Sequence, residues 1–176
     1  MTLDEALTGK DIPEDIRKTL ALITVPYVSF DGTYQSGELV VHHDCAPDLQ
    51  EIFAELCAHG FPIEKIVPVN AYDWDDNASM ADNNSSAFNY RFIACTDRLS
   101  NHSFGRAIDI NPKLNPYTQR DGVVVPEGAT HDPSVSGTIT ADSIVVQLFK
   151  ERGWTWGGDW IDNRDWQHFE KPGGTL

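Results

Sequence analysis

The segment LSNHSFGRAIDINPKLNPY, residues 99–117, constrains the fold more than any other part of the chain. Its glycine, Gly105, permits a sharp reversal, and its two Asn-Pro steps allow neither a helix nor a long strand. The apolar run RAIDI, residues 106–110, predicts one short buried strand. We therefore expect a structured loop that carries His102, followed at once by a strand that carries Asp109.

Hydrophobic periodicity predicts further elements on both sides of this segment. Apolar residues at helical spacing predict helices at residues 11–23, 47–59 and 141–152. Runs of apolar and β-branched residues predict strands at residues 37–43, 63–72 and 166–170. The polar stretch 73–90 predicts a long loop, and residues 118–140 predict an excursion with a small hairpin. Helices come first and strands cluster later, which favours a single α+β domain with a small antiparallel sheet packed against helices.

Composition limits the partners of the chain. Its formal net charge is -14 over 176 residues, which argues against nucleic acid and anionic membranes as partners. No apolar run reaches the length of a membrane helix, so we expect no membrane insertion. The first residues are acidic where a signal peptide would be basic and then apolar. As written the chain should not be exported, but a trimmed mature form would look the same, so localisation stays open.

Four residues could together carry metal chemistry. Zinc prefers histidine nitrogen and carboxylate oxygen, and catalytic zinc sites use three protein ligands. His102, Asp109 and His168 offer such a set, because the reversal at Gly105 can turn the first two towards one point. Asp165 comes three residues before His168, at the turn that enters its strand, and could exchange protons with a water molecule. By spacing alone, each histidine could equally be a satisfied core or surface residue, and Asp165 could simply cap a turn.

Two motifs resemble those of a known family. The pattern S-x-H-x-x-G-x-A-x-D begins at Ser100, and D-x-x-H-F-E spans residues 165–170. Both resemble signatures of the zinc D-alanyl-D-alanine carboxypeptidase and L-alanyl-D-glutamate endopeptidase family, which acts on bacterial cell-wall peptides. The stretches SAFNYR and GWTWGGDW are similar to this family as well. The resemblance covers roughly residues 37–172 and suggests an N-terminal helical extension, residues 1–36, before a catalytic domain, residues 37–176.

The resemblance implies a specific site and substrate. It implies a zinc ion held by His102, Asp109 and His168, with Asp165 as general base. Arg91 matches the family's arginine that contacts a carbonyl or carboxylate of the substrate, although an ion pair with a nearby aspartate is the alternative. The substrate would be a peptidoglycan stem peptide or muropeptide. Aspartate rather than glutamate at position 165 favours cleavage between L-Ala and D-Glu over release of terminal D-Ala.

Other interpretations stay open at this point. The fold could serve a non-catalytic metal-binding or cell-wall-binding module, and Cys95 with a histidine could form a thiol hydrolase. The acidic loop DWDDNASMADNN could bind calcium, although it lacks the glycine and closing glutamate of an EF-hand. The tryptophans near the C-terminus could line a sugar or peptide groove, or could be core residues.

Overall fold

The structure, a computed structural model, describes residues 1–94 and 96–173. The described residues form five α-helices: α1 (Leu3–Ala6), α2 (Glu14–Arg17), α3 (Ala46–Ala58), α4 (Asp76–Ala81) and α5 (Ile144–Glu151). They also form ten short strands: β1 (Leu20–Val28), β2 (Tyr34–His42), β3 (Lys65–Ile66), β4 (Asn84–Ser85), β5 (Ala107–Asp109), β6 (Tyr117–Thr118), β7 (Val124–Val125), β8 (Thr155–Trp156), β9 (Arg164–Asp165) and β10 (His168–Glu170).

The main core lies between a long hairpin and two helices. Strands β1 and β2 pair in antiparallel register along their full length, from Leu20 opposite His42 to Val28 opposite Tyr34. Helix α3 packs on this hairpin, and α5 packs on α3. The apolar residues of α3 recur every three or four positions, so they form one stripe that is buried against the hairpin. This face and the end of α3 agree with the prediction from the sequence.

A three-stranded sheet continues the core and carries both motif regions. Its strand order is β5-β10-β8, and β10 is antiparallel to both neighbours. Phe169 in β10 lies opposite Ile108 in β5, and both side chains are fully buried. Sheet β7-β6-β9 lies in the later part of the chain, and its β9 ends at Asp165. The described residues thus form a small single α+β domain, as predicted, but with four small sheets instead of one.

The helix predicted over residues 11–23 is wrong in most of its length. Only α2 is helical there, and the chain is already in strand β1 from Leu20 onwards. Ile16, Leu20 and Ile23 are all buried, which is why their spacing resembled a helix. Ile23 belongs to the main core, whereas Ile16 and Leu20 fill a smaller core near the N-terminus. Cross-strand pairing with β2 outweighs the apparent helical period.

This correction affects the N-terminal extension. Residues 20–28 form a strand rather than a helix, and the boundary between residues 36 and 37 falls within β2. The division into an extension and a catalytic domain therefore stays a prediction, and it would separate paired residues of one hairpin.

Three other elements differ from the prediction. The strand predicted at 63–72 is reduced to β3, because Pro68 has no backbone donor and a 3-10 turn follows at Val69–Tyr72. The loop predicted at 73–90 contains α4 and β4, and β4 pairs with β3 in parallel. Helix α5 begins three residues later than predicted, after Ser143. Among the described residues, no helix has the length and apolar character needed to span a bilayer.

Candidate metal centre

His102 is held in one orientation by the turn that carries it. It lies in a 3-10 turn, Asn101–Phe104, and the Ser100 side chain at the start of this turn accepts a hydrogen bond from the His102 backbone N–H. Gly105 ends the turn with φ of 65° and packs so closely on β2 that a Cβ there would lie 2.4 Å from the His42 nitrogen. The His102 Nδ1 donates to the Ala87 carbonyl at 2.5 Å, so Nε2 remains for another partner.

The sheet places the other two predicted ligands opposite one another. His168 in β10 pairs with Asp109 in β5, so both side chains lie on the same face. The His168 Nδ1 is 3.0 Å from the Asp109 Oδ1 and 3.2 Å from the His102 Nε2. The His102 Nε2 is also 3.2 Å from the other carboxylate oxygen of Asp109. The reversal at Gly105 thus brings the loop histidine to the strand aspartate, as the sequence indicates.

The three side chains form a donor set that fits zinc. The ligand atoms of His102, Asp109 and His168 all lie within 4.8 Å of one another, and all three residues are buried. Two imidazole nitrogens and one carboxylate oxygen are the ligand types that zinc prefers, and three protein ligands leave a position for water or substrate. The spacing of the motifs thus has a geometric reason: one turn places His102, and one pair of strands places Asp109 and His168.

The electrostatics of the cluster also suit a cation. Burial raises the pKa of Asp109, but the charges of His102 and His168 and their hydrogen bonds outweigh burial and hold this pKa well below its usual range. Burial lowers the pKa of His168, but hydrogen bonds to Asp109 and Glu170 outweigh it and raise this pKa to about 10. His168 therefore holds its proton tightly when no metal ion is bound. Metal binding would release that proton.

Glu170 is a site residue whose role the sequence analysis missed. Its Oε2 lies 3.1 Å from the His168 Nε2 and accepts a hydrogen bond of 2.6 Å from Asn101. A carboxylate on the outer nitrogen of a ligand histidine fixes the ring and makes the inner nitrogen a better donor. The alternation of β10 already put His168 and Glu170 on one face, so this contact could have been found from the sequence.

Asp165 lies at the end of β9, close enough to the cluster to sense its charge. Its Oδ1 is buried and has no hydrogen-bond partner among the described residues. Burial, and then the negative charge of Asp109, raise the pKa of Asp165 to about 7. Gly157 packs against it, since a Cβ there would lie 2.8 Å from the Asp165 Cβ. A carboxyl with one unpartnered oxygen and a pKa near neutrality has the properties of a general base.

Arg91 makes the ion pair that the sequence analysis gave as its alternative. The Arg91 Nη2 is 3.0 Å from the Asp76 Oδ2, and both side chains are about one-third exposed or less. The Arg91 backbone N–H donates to the Ser103 Oγ, so its main chain runs beside the turn that carries His102. A role in substrate contact thus stays a prediction, and the ion pair by itself does not oppose it.

Two other candidates are disfavoured as metal sites. His42, His43 and Asp44 also bring ligand atoms within 4.8 Å, but the Arg106 guanidinium lies 2.8 Å from Asp44 and 3.3 Å from both ring nitrogens of His42. Burial and this positive charge lower the pKa of His42, and the same charge would repel a cation. In the acidic loop, Asp75 caps α4 and Asp76 pairs with Arg91, so neither carboxylate is directed to a shared calcium position.

The tryptophans of the C-terminal part divide between core and surface. Trp154 and Trp156 are buried in the main core, whereas Trp160 is exposed beside His168, with ring centroids 5.5 Å apart. Trp166 stacks on His131 and helps to line a cavity of about 490 Å³. None of the three ligands, nor Asp165 or Arg91, lines that cavity. Cys95, considered as a thiol nucleophile, lies outside the described residues.

Comparison with known proteins gives one family. The family model described as D-alanyl-D-alanine carboxypeptidase matches residues 94–171, a little less than half of the chain. The matched segment contains all three candidate ligands, Asp165 and Glu170, but it begins after Arg91. Comparisons with curated proteins and with solved structures give no significant match.

Proposed function

We propose that the chain is a zinc-dependent peptidase that cleaves peptidoglycan stem peptides between L-Ala and D-Glu, since its segment 94–171 matches the family model described as D-alanyl-D-alanine carboxypeptidase. One observation carries the proposal. The buried ligand atoms of His102, Asp109 and His168 converge near the half-buried side chain of Asp165, whose Oδ1 is buried without a hydrogen-bond partner among the described residues. A purely structural metal site has no use for that unpaired acid, because leaving a buried polar atom unsatisfied costs free energy.

The residues of the chain suggest their parts in the reaction. Zinc, when bound, would lower the pKa of a water molecule and polarise the scissile carbonyl. Asp165 accepts the proton of the attacking water at its unpaired carboxylate oxygen and later returns it to the leaving amine. Burial raises the pKa of Asp165 above its ordinary value, which favours uptake of a proton. Glu170 holds the His168 ring in place throughout.

Arg91 supplies a local positive charge in a protein whose acidic residues far outnumber its basic ones. With a net charge of -14, the chain repels an anionic stem peptide as a whole, so a local guanidinium is needed to hold a carboxylate or carbonyl of the D-Glu unit. The backbone of Arg91 is hydrogen-bonded to Ser103, the residue after His102. This contact places the backbone of Arg91 beside the turn that carries His102 and supports a role for its side chain on a bound peptide.

A second candidate is release of the terminal D-Ala, and the description of the matching family favours it. Such an enzyme must hold a free C-terminal carboxylate close to the cleaved bond, whereas an endopeptidase needs space on both sides. The aspartate at position 165, one methylene shorter than glutamate, supports the endopeptidase.

Digestion of one defined muropeptide distinguishes the two candidates. We expect mass spectrometry to show cleavage between L-Ala and D-Glu, with no activity after chelation and full recovery on adding zinc. Release of a single alanine with the L-Ala–D-Glu bond intact would instead assign the carboxypeptidase reaction. Inhibition by a thiol reagent but not by a chelator would favour a cysteine hydrolase, and metal binding without hydrolysis of any stem peptide would leave a non-catalytic module.

A further inference from the structure

Asp76, at the start of α4, joins two side chains with its two oxygens. Its Oδ2 lies 3.0 Å from the Arg91 Nη2, and its Oδ1 accepts a hydrogen bond of 3.1 Å from the Asn89 Nδ2. Among the described residues, Asp76 is the one carboxylate in ion-pair contact with Arg91. The carboxylate therefore connects the guanidinium to a buried amide two residues earlier in the chain.

The position of Asp76 is itself fixed. Asp75 caps α4 by accepting hydrogen bonds from the backbone N–H groups of Asn77 and Ala78. At the other side of the helix, Ser79 is buried and accepts a hydrogen bond from Asn84 in β4. A short helix secured at both places presents Asp76 at one place in space rather than over a range of positions.

Asn89 connects the same carboxylate to the metal cluster. It is 2% exposed, and its backbone N–H donates to the His102 carbonyl at 3.2 Å. The Ser103 Oγ lies between the backbones of Asn89 and Arg91 and contacts the carbonyl oxygens of both residues. Any displacement of the turn that carries His102 would thus be transmitted to Asn89 and Arg91.

The contacts among Asp76, Asn89 and Arg91 leave two buried polar atoms without hydrogen bonds. The Arg91 Nε and the Asn89 Oδ1 are both buried without a hydrogen-bond partner among the described residues. A buried polar atom without a partner is uncommon in a folded protein and calls for an explanation. An ion pair that served stability alone would gain by turning the guanidinium so that Nε and Nη2 both meet the carboxylate.

We propose that Asp76 and Asn89 are positioning residues that hold the Arg91 guanidinium in the orientation in which it meets the substrate. Arginine has many rotamers in solution, and ordering them before the substrate arrives removes that cost from binding. In so acidic a chain, an unheld Arg91 would also turn towards other carboxylates. The inference rests on the proposed function, because it requires that Arg91 contacts the stem peptide.

A double-mutant cycle tests the inference on the zinc-loaded full chain. Asp76→Asn keeps the shape and removes the charge, and it should lower kcat/KM by about 10- to 100-fold, mostly through KM, with zinc content unchanged. Asn89→Ala should act in the same direction. Because Asp76 would act only through Arg91, the double variant Asp76→Asn with Arg91→Ala should be no worse than Arg91→Ala alone.

Asp73→Asn is the matched control, because it removes the same charge three residues earlier, at an exposed position whose left-handed backbone (φ 52°) asparagine tolerates. It should leave kcat/KM within about twofold of the wild type. Losses that multiply in the double variant, or equal effects of Asp73→Asn and Asp76→Asn, would overturn the inference alone. Wild-type kinetics of Arg91→Ala, or a wild-type protein that cleaves no stem peptide, would overturn the proposed function as well.

Discussion

Glu170 offers the sharpest test of the metal centre, because two substitutions should weaken zinc binding to different degrees. One oxygen of this carboxylate accepts two hydrogen bonds, from the His168 Nε2 at 3.1 Å and from the Asn101 amide at 2.6 Å. Glu170→Gln can keep both hydrogen bonds through its remaining oxygen but loses the negative charge. Glu170→Ala loses the charge and the bonds, so the His168 ring is no longer held.

The expected magnitudes follow from that difference. Partners of ligand histidines contribute about 10- to 100-fold to metal affinity. Glu170→Gln should lie near the lower value, about 1.4 kcal/mol, and Glu170→Ala near the upper value, about 2.8 kcal/mol. Competition with a chromophoric chelator at fixed pH measures both dissociation constants.

The control is Glu151→Gln, the same chemical change at an exposed position at the end of α5, where the carboxylate accepts a hydrogen bond from Gln147. It should leave zinc affinity unchanged. Equal zinc affinities of the wild type, Glu170→Gln and Glu170→Ala would refute the reasoning, because His168 would then need no outer partner. A loss in Glu170→Gln as large as that in Glu170→Ala would mean that charge, rather than orientation, decides the affinity.

Three further results are expected. Asp165→Asn should keep its zinc and lose about 10²- to 10⁴-fold in kcat, and near-normal turnover would make Asp165 only a turn residue. His168→Ala should purify without zinc by elemental analysis, since two ligands remain; full metal content would exclude it as a ligand. In metal-free protein, Asp165 with its pKa raised to about 7 binds more protons folded than unfolded between its ordinary pKa of 3.8 and about 7. Its contribution to stability is therefore lost as pH rises through that window, and Asp165→Asn should flatten the fall of Tm measured with chelator present, whereas an unchanged slope would contradict this assignment.

The candidate ligands could be predicted because their geometry is mostly local. A glycine reversal and one strand bring His102 to Asp109, and the alternation of β10 sets the face of His168. Strand β1 could not be predicted in the same way. Ile16, Leu20 and Ile23 fit a helical period, and only pairing with a partner strand about twenty residues away in sequence decides between the two structures.

The ion-pair partner of Arg91 also could not be predicted from the sequence alone. The sequence raised an ion pair with an aspartate, but several aspartates lie in the stretch 73–90 and spacing does not choose among them. The choice depends on α4, a short helix inside a stretch whose composition indicated only a loop. Helix formation there follows from capping by Asp75 and from burial of Ser79 against β4, neither of which is a periodic signal.

The pairing of His168 with Asp109 brings together the two ends of a long segment of the chain. The two residues are 59 positions apart in sequence, and the segment between them includes the hairpin of β6 and β7. The entropy of closing a loop rises only with the logarithm of its length, so doubling the segment would cost about 0.6 kcal/mol. Residues added at the exposed tip of that hairpin, near Asp121, should therefore leave His168 paired with Asp109. The surface between the two motifs is thus a place where the chain can change its length and its contacts while the cluster stays the same.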